Sequence, residues 1–212
     1  MIRTRSLVRR TATVAAAGAA ALVLAACGGD GDSAGSAGHN GHDTTATATA
    51  SGSASASRGG HNAADVAFAQ GMIPHHRQAV EMAALADGRA GSAEVRKLAA
   101  GIEKAQGPEI GTLSGWLTSW GEEAPAAGGM DHSAHGMDGM MTDKEMTELK
   151  NTSGTAFDAA FLKMMIKHHE GAVEMAKTER ADGAYGPATK LAGRIVTAQS
   201  AEIDRMDQLR KD

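Results

Sequence analysis

Two pairs of adjacent histidines carry the chemistry available to this sequence of 212 residues. His75 and His76 lie in the run Phe68-Ala-Gln-Gly-Met72-Ile73-Pro74-His75-His76-Arg77-Gln78-Ala79-Val80-Glu81-Met82-Ala83. His168 and His169 lie in a second copy, Phe161-Leu-Lys-Met-Met165-Ile166-Lys167-His168-His169-Glu170-Gly171-Ala172-Val173-Glu174-Met175-Ala176. Each pair has a Met one turn before its first His (Met72, Met165) and another two turns after it (Met82, Met175). Imidazole with thioether is a ligand set that suits Cu(I) better than Mg(II), Ca(II) or Mn(II). These eight side chains are therefore the candidate metal ligands. The plainer alternative is that duplication has preserved packing residues, with the histidines held in a His–Glu–Gln hydrogen-bond network.

The elements that must position these residues are helical. The second copy follows at an offset of 93 residues without a gap, and 20 of the 46 positions from Asp65 to Ile110 are identical in it. A repeated unit of this length accommodates two helices. At about 100° per residue, Phe68, Met72, His75, Ala79, Met82 and Ala86 share one stripe, and Phe161, Met165, His168, Ala172 and Met175 repeat it. The second segment of the unit places Leu98, Ile102, Ala105, Glu109, Leu113 and Trp116 on a stripe with Gln106 beside it, and Gln199 and Glu202 recur at the matching positions. A carboxylate and an amide in an apolar stripe are costly without partners. If the helices of a unit pack antiparallel, Glu109 and Glu202 reach the imidazoles and, with Gln106 and Gln199, orient them from behind. Glu81 and Glu174 fall opposite the His stripe, where ion pairs with neighbouring helices are expected. The positions at which the copies differ, Arg77/Glu170, Gln78/Gly171 and Gln70/Lys163, fall mostly on that opposite face as well.

Helix signals and glycine breaks predict long helices over about 62–87, 92–120, 155–181 and 187–210, with a short one over about 142–150. Pro74 precedes the first His pair and is expected to kink its helix, and Pro108 to bend the next. The fold class is all-α: a four-helix bundle with a pseudo-two-fold axis, built by tandem duplication of a two-helix unit. Repeat 1 spans 62–120, a Met/His-rich loop 121–141 and repeat 2 142–211. In that loop Met130, His132, His135, Met137, Met140 and Met141 alternate with Gly and Asp. It has no helical period, so it is expected to contribute nothing to the core and to supply auxiliary metal ligands.

Upstream, Arg3, Arg5, Arg9 and Arg10 precede an apolar run from Val14 to Ala26, too short to span a bilayer comfortably. The run ends in Leu24-Ala25-Ala26-Cys27, which resembles a bacterial lipobox, and Cys27 is the single Cys of the chain. Residues 1–27 are thus expected to be a lipoprotein signal whose Cys becomes the lipidated first residue. Residues 28–61, rich in Gly, Ser, Ala and Thr, are expected to be a flexible tether that includes His39, His42 and His61. Removing residues 1–27 takes away four Arg and no acid, moving the formal net charge from −4 to −8. An acidic mature chain argues against nucleic acid as a partner. The expected partners are a metal ion and, through Cys27, the outer face of the bacterial cytoplasmic membrane.

The duplicated Phe-x3-Met-Ile-x-His-His-x2-Ala-Val-Glu-Met-Ala motif, followed by Ile-x2-Ala-Gln-x2-Glu-Ile, resembles the bacterial family called domain of unknown function 305 over about residues 62–211. The resemblance implies a ferritin-like helical bundle and a role in copper handling, because the family includes periplasmic copper-binding proteins. Two other readings fit the same residues. One is a di-metal carboxylate enzyme in which Glu109 and Glu202 join the His pairs, but no Glu here has a His three residues on, the spacing that class uses. The other is an envelope interaction module without metal. Copper binding without catalysis, with Cu(I) preferred, is the expectation.

Overall fold

The structure is a computed structural model that describes residues 60–126 and 138–211. The signal, Cys27, His39, His42, Met130, His132, His135 and Met137 lie outside the described residues. Within them the chain forms helices α1 (Ala63–Ala84), α2 (Ala86–Arg89), α3 (Ala93–Trp120), α4 (Asp143–Lys150), α5 (Gly154–Asp182) and α6 (Gly186–Leu209). Four are long, two in each repeat, in agreement with the duplication. The first differs from expectation by ending at Ala84. There the Leu85 N–H bonds back to Met82 and a separate turn, α2, follows. Pro74 and Pro108 are carried inside continuous α1 and α3. Among the described residues no helix is long and apolar enough to cross a membrane.

Local chemistry sets the helix ends. Asn62 accepts from the Ala64 and Asp65 N–H groups while Asp65 accepts from the Asn62 N–H, a reciprocal cap that satisfies donors a helix start would otherwise leave unpaired. Ser92 caps α3 by accepting from the Val95 N–H, and Thr142 with Glu145 makes a reciprocal cap on α4. At the far end of α3, Gly121 adopts φ 77°, the left-handed conformation that glycine enters without penalty.

The two repeats lock each other through one symmetric device. Asp65 at the start of α1 accepts from the Ala184 and Tyr185 N–H groups in the α5–α6 turn, at 3.2 and 2.9 Å. Asp158, at the equivalent place in α5, accepts from the Gly91 and Ser92 N–H groups in the α2–α3 turn, at 3.0 and 2.8 Å. Each repeat's first helix thus holds the other repeat's turn. Helix α1 packs on α3, α5 packs on α6, and α1 and α5 form the contact across the repeats.

The core falls into two apolar clusters. One joins Ala79, Met82 and Ala83 of α1 to Val95, Ala99 and Ile102 of α3, Phe157, Phe161 and Met165 of α5, and Met206 of α6. The other joins Phe68, Met72 and Ile73 to Leu113 and Leu117, Ala172 and Ala176, and Leu191 and Ile195. Early α1 therefore meets late α3 and late α5, which makes each of these pairs antiparallel. Burying each large apolar side chain stabilises the fold by about 1.5–3 kcal/mol.

Met141 corrects the expectation that the inter-repeat loop stays out of the core. It is 2% exposed and belongs to the first cluster, so a deletion reaching Met141 removes core as well as loop.

One buried carboxyl lies beside the locking device. Glu179 is 1% exposed, and burial first, then the adjacent Asp65 carboxylate, push its pKa up to about 8. Burial alone would raise Asp65 too, but backbone donors from Asn62, Tyr185 and Ala184 hold it below the usual carboxylate range. Between the ordinary Glu value of 4.5 and about 8, the folded chain keeps a proton on Glu179 that the unfolded chain has lost. Stability from this group is therefore present below that window and lost as pH rises through it. Thermal melts of the metal-free protein should show Tm falling by several degrees between about pH 5 and about pH 8.5, and Glu179→Gln should flatten that fall. Equal slopes in the two proteins would contradict the assignment.

Candidate metal centre

Between the two apolar clusters lies a polar layer to which all four long helices contribute. On α1, His75 and His76 separate the residues of one cluster from those of the other, and on α5 His168 and His169 do the same. Gln106 and Glu109 hold that position on α3, and Gln199 and Glu202 hold it on α6. All four histidines are 0% exposed.

His75 and His168 meet across the repeats, with ring centroids 3.7 Å apart and ring planes tilted by 44°. His76 and His169 turn instead toward their own repeat. His76 Nε2 lies 2.8 Å from Glu109 Oε2, and His169 Nε2 lies 2.7 Å from Glu202 Oε2. The stripe geometry anticipated this His–Glu pairing in both copies. Each carboxylate is about a quarter exposed, so it stands between the layer and solvent. A carboxylate accepting from Nε2–H fixes the tautomer and leaves Nδ1 as the lone-pair nitrogen.

Most of the ring nitrogens have no partner in the protein. Both ring nitrogens of His75 and His168, and Nδ1 of His76 and His169, are buried without a hydrogen-bond partner. Each unpaired buried group costs on the order of 1–3 kcal/mol, so a cluster of six is a destabilising concentration. Protonation does not relieve it. Burial first, then the neighbouring His76, lowers the His75 pKa to about 3, and burial with His75 beside it holds His168 well below the ordinary value of 6.5. The pair stays neutral at physiological pH, the form in which imidazole binds a metal ion. The donor set thus fits a metal, although among the described residues no three His, Cys, Asp or Glu side chains converge into a ready-made site.

The methionines are placed less uniformly than their spacing implied. Met72 and Met165 are fully buried one turn from the layer, each in a different apolar cluster. Met82 is buried in the first cluster, and Met175 is half-buried against the second. Two turns along a helix is about 11 Å, which puts these two among apolar neighbours. Met140 is half-buried, and Met141 is a core residue. Gln106 has no hydrogen-bond partner on either side-chain atom, and Gln199 has none on its oxygen, so the expected Gln–His bonds are absent from the described residues.

Two corrections concern the face opposite the His stripe. Gln78 is 0% exposed, and Gly171 is buried at the equivalent position in the second copy. Both meet the segment that connects the repeats, a contact with no periodic signal in the sequence. Arg77 likewise donates to the Pro125 and Ala126 carbonyls just after α3. Glu81 pairs with Lys150 of α4 at 2.8 Å, as expected of that face, whereas Glu174 pairs with Lys177 within its own helix.

Comparison with known proteins joins this geometry to a family. Residues 65–210 match the family described as domain of unknown function (DUF305). A DUF305 protein from Streptomyces coelicolor, provisionally described as secreted, is 37% identical with a TM-score of 0.63, over 69% of this chain and 91% of that one. CopM in its Cu(II)-bound form is 35% identical with a TM-score of 0.62, over 69% of this chain and 95% of that one. CopM has also been solved in Cu(I)-bound, Ag-bound and apo forms. A DUF305 fragment from Deinococcus radiodurans is 30% identical with a TM-score of 0.63, over 71% of this chain and 97% of that one. No curated protein matches. With a duplicated His-His motif, four long helices and this extent of match, the chain belongs to the DUF305 family.

Proposed function

We propose that this protein is an extracytoplasmic copper-binding protein that sequesters Cu(I) and performs no catalysis. The observation that carries the reading is the set of six buried, unpartnered imidazole nitrogens at the centre of the bundle. A metal ion taking the one lone pair that each neutral ring offers would replace part of that desolvation cost with coordination bonds. Support for copper comes from the thioethers of Met72 and Met165 one turn away, since soft and borderline ligands together favour Cu(I). It comes also from CopM, whose bound forms hold copper or silver. In this reading His75, His76, His168 and His169 hold the metal, and Glu109 and Glu202 orient two of them. Met72 and Met165 stand one turn away as further ligands, and Met130, His132, His135, Met137 and Met140 of the inter-repeat segment serve as auxiliary ligands. Cys27 anchors the chain to the outer face of the membrane.

Competition of the metal-free protein against a Cu(I) chelator is the direct test. Tight binding that disappears in a His75→Leu/His168→Leu double variant is the expected result. A stoichiometry and affinity untouched by the double variant would move the site elsewhere, and iron or manganese in pairs in the purified protein would favour a di-metal enzyme instead.

The flanking carboxylates give a second test. Glu109→Gln and Glu202→Gln should each weaken Cu(I) affinity by roughly 10–100-fold, the range for losing a partner that orients a ligand. The metal-free fold should change little, because Gln still offers an oxygen to the Nε2–H. A purely structural pairing gives the reverse pattern, with lower metal-free Tm and unchanged affinity per folded molecule.

A further inference from the structure

The least symmetric part of the bundle lies against its most symmetric part. Residues 138–141 enter the structure directly beside the two His pairs and are bound to both central helices. On α1, Gln78 clamps the Met141 backbone in both directions, donating to its carbonyl at 2.8 Å and accepting from its N–H at 2.7 Å. On α5, the equivalent position is Gly171, and the Asp138–Gly139 backbone rests on it. A Cβ built on Gly171 would collide with the Asp138 carbonyl and lie 2.9 Å from the Gly139 Cα. Gly139 has φ 88°, and a side chain there would meet the Lys167 carbonyl at 2.8 Å and the His168 carbonyl at 3.0 Å. The contact between helix and segment is therefore glycine on glycine, the closest approach two backbones can make. Beside it, the Lys167 ammonium lies 3.4 Å from the Met140 carbonyl. The Asp138 carbonyl lies beside the His75 ring.

This accounts for one place where the two copies part company. A single segment crosses a two-fold-related pair of helices, so it cannot contact both in the same way. One repeat supplies a reaching side chain and the other supplies none. Met141, 2% exposed, then buries its thioether in the core beyond the crossing.

We propose that Gln78 and Gly171 are positioning residues that hold Asp138–Met141 as a fixed backbone cover across His75 and His168, and that this cover sets how slowly metal leaves the layer. The retention half rests on the copper reading, whereas the shielding half does not. The cover closes the side of the layer between α1 and α5, and breaking it should act on dissociation more than on capture.

Gly171→Ala tests the inference, because it adds only the colliding methyl and is favourable to helix α5 in itself. Gly115→Ala on α3, where a Cβ meets nothing within 4 Å, is the control for helix propensity. Two rates are measured on the full protein: carbethoxylation of His75 and His168 by diethyl pyrocarbonate in the metal-free state, resolved by mass spectrometry, and release of Cu(I) to excess bathocuproine disulfonate. Gly171→Ala should raise both by roughly tenfold or more while Gly115→Ala matches wild type. Gln78→Leu, which can neither donate to Met141 nor accept from it, should raise both by a smaller factor and supplies the answer if Gly171→Ala loses its helical circular dichroism. Wild-type rates in a folded Gly171→Ala, or in a folded Gln78→Leu, would overturn the cover. Faster carbethoxylation with unchanged copper release would overturn retention alone, and absence of Cu(I) binding in wild type would end the copper reading while the carbethoxylation rates still decide the shielding.

Discussion

Four imidazoles with no exposure to solvent divide the core of this protein into two apolar halves, and two of them, His75 and His168, touch across the repeats. Everything else about the bundle answers to that layer. Burial keeps His75 and His168 uncharged, and six ring nitrogens of the layer are left without partners. A protein interior tolerates such a cluster only when other interactions over-determine its position. Here they do. An apolar cluster packs on either side, Glu109 and Glu202 fix the outer rings, and the reciprocal Asp65 and Asp158 bonds keep the two repeats in register.

Duplication makes this arrangement economical to encode. One two-helix unit with a His pair on its first helix and a Glu on its second yields, when doubled, a layer with four rings and two carboxylates. The two-fold relation brings His75 against His168, a contact that neither unit could make alone. It also swaps the two apolar clusters, so early α1 and late α5 share one cluster and late α1 and early α5 share the other. The connection between repeats cannot obey the symmetry, and it lies across the layer between α1 and α5, where Gln78 and Gly171 receive it.

What could be read from the sequence follows the same division. The helices and the His76–Glu109 and His169–Glu202 pairs were legible because each depends on period within a unit, and period is a local signal that duplication states twice. Gln78 and Gly171 read as an outward face and Met141 as loop, because their burial comes from packing between the units and the segment that joins them. A Met flanked by Gly and Asp has the composition of a loop, and only tertiary packing makes it core. The reciprocal locks of Asp65 and Asp158 were invisible for a different reason. Their partners are backbone N–H groups, which carry no residue identity, and Gly91-Ser92 and Ala184-Tyr185 share no side chain. Gln106 and Gln199 illustrate the opposite error. Their matched places suggested bonds to the histidines, yet both sit in the layer with side-chain atoms unpaired.

The central claim is that the His layer itself is the place a metal ion occupies. Crystals of the Cu(I)-loaded protein, measured on both sides of the copper absorption edge, locate the ion without reference to any assumed ligand. The expected result is an anomalous copper peak between α1 and α5, within bonding distance of His75 and His168. Copper confined to sites outside the bundle, with the four rings arranged as in the metal-free protein, would contradict it.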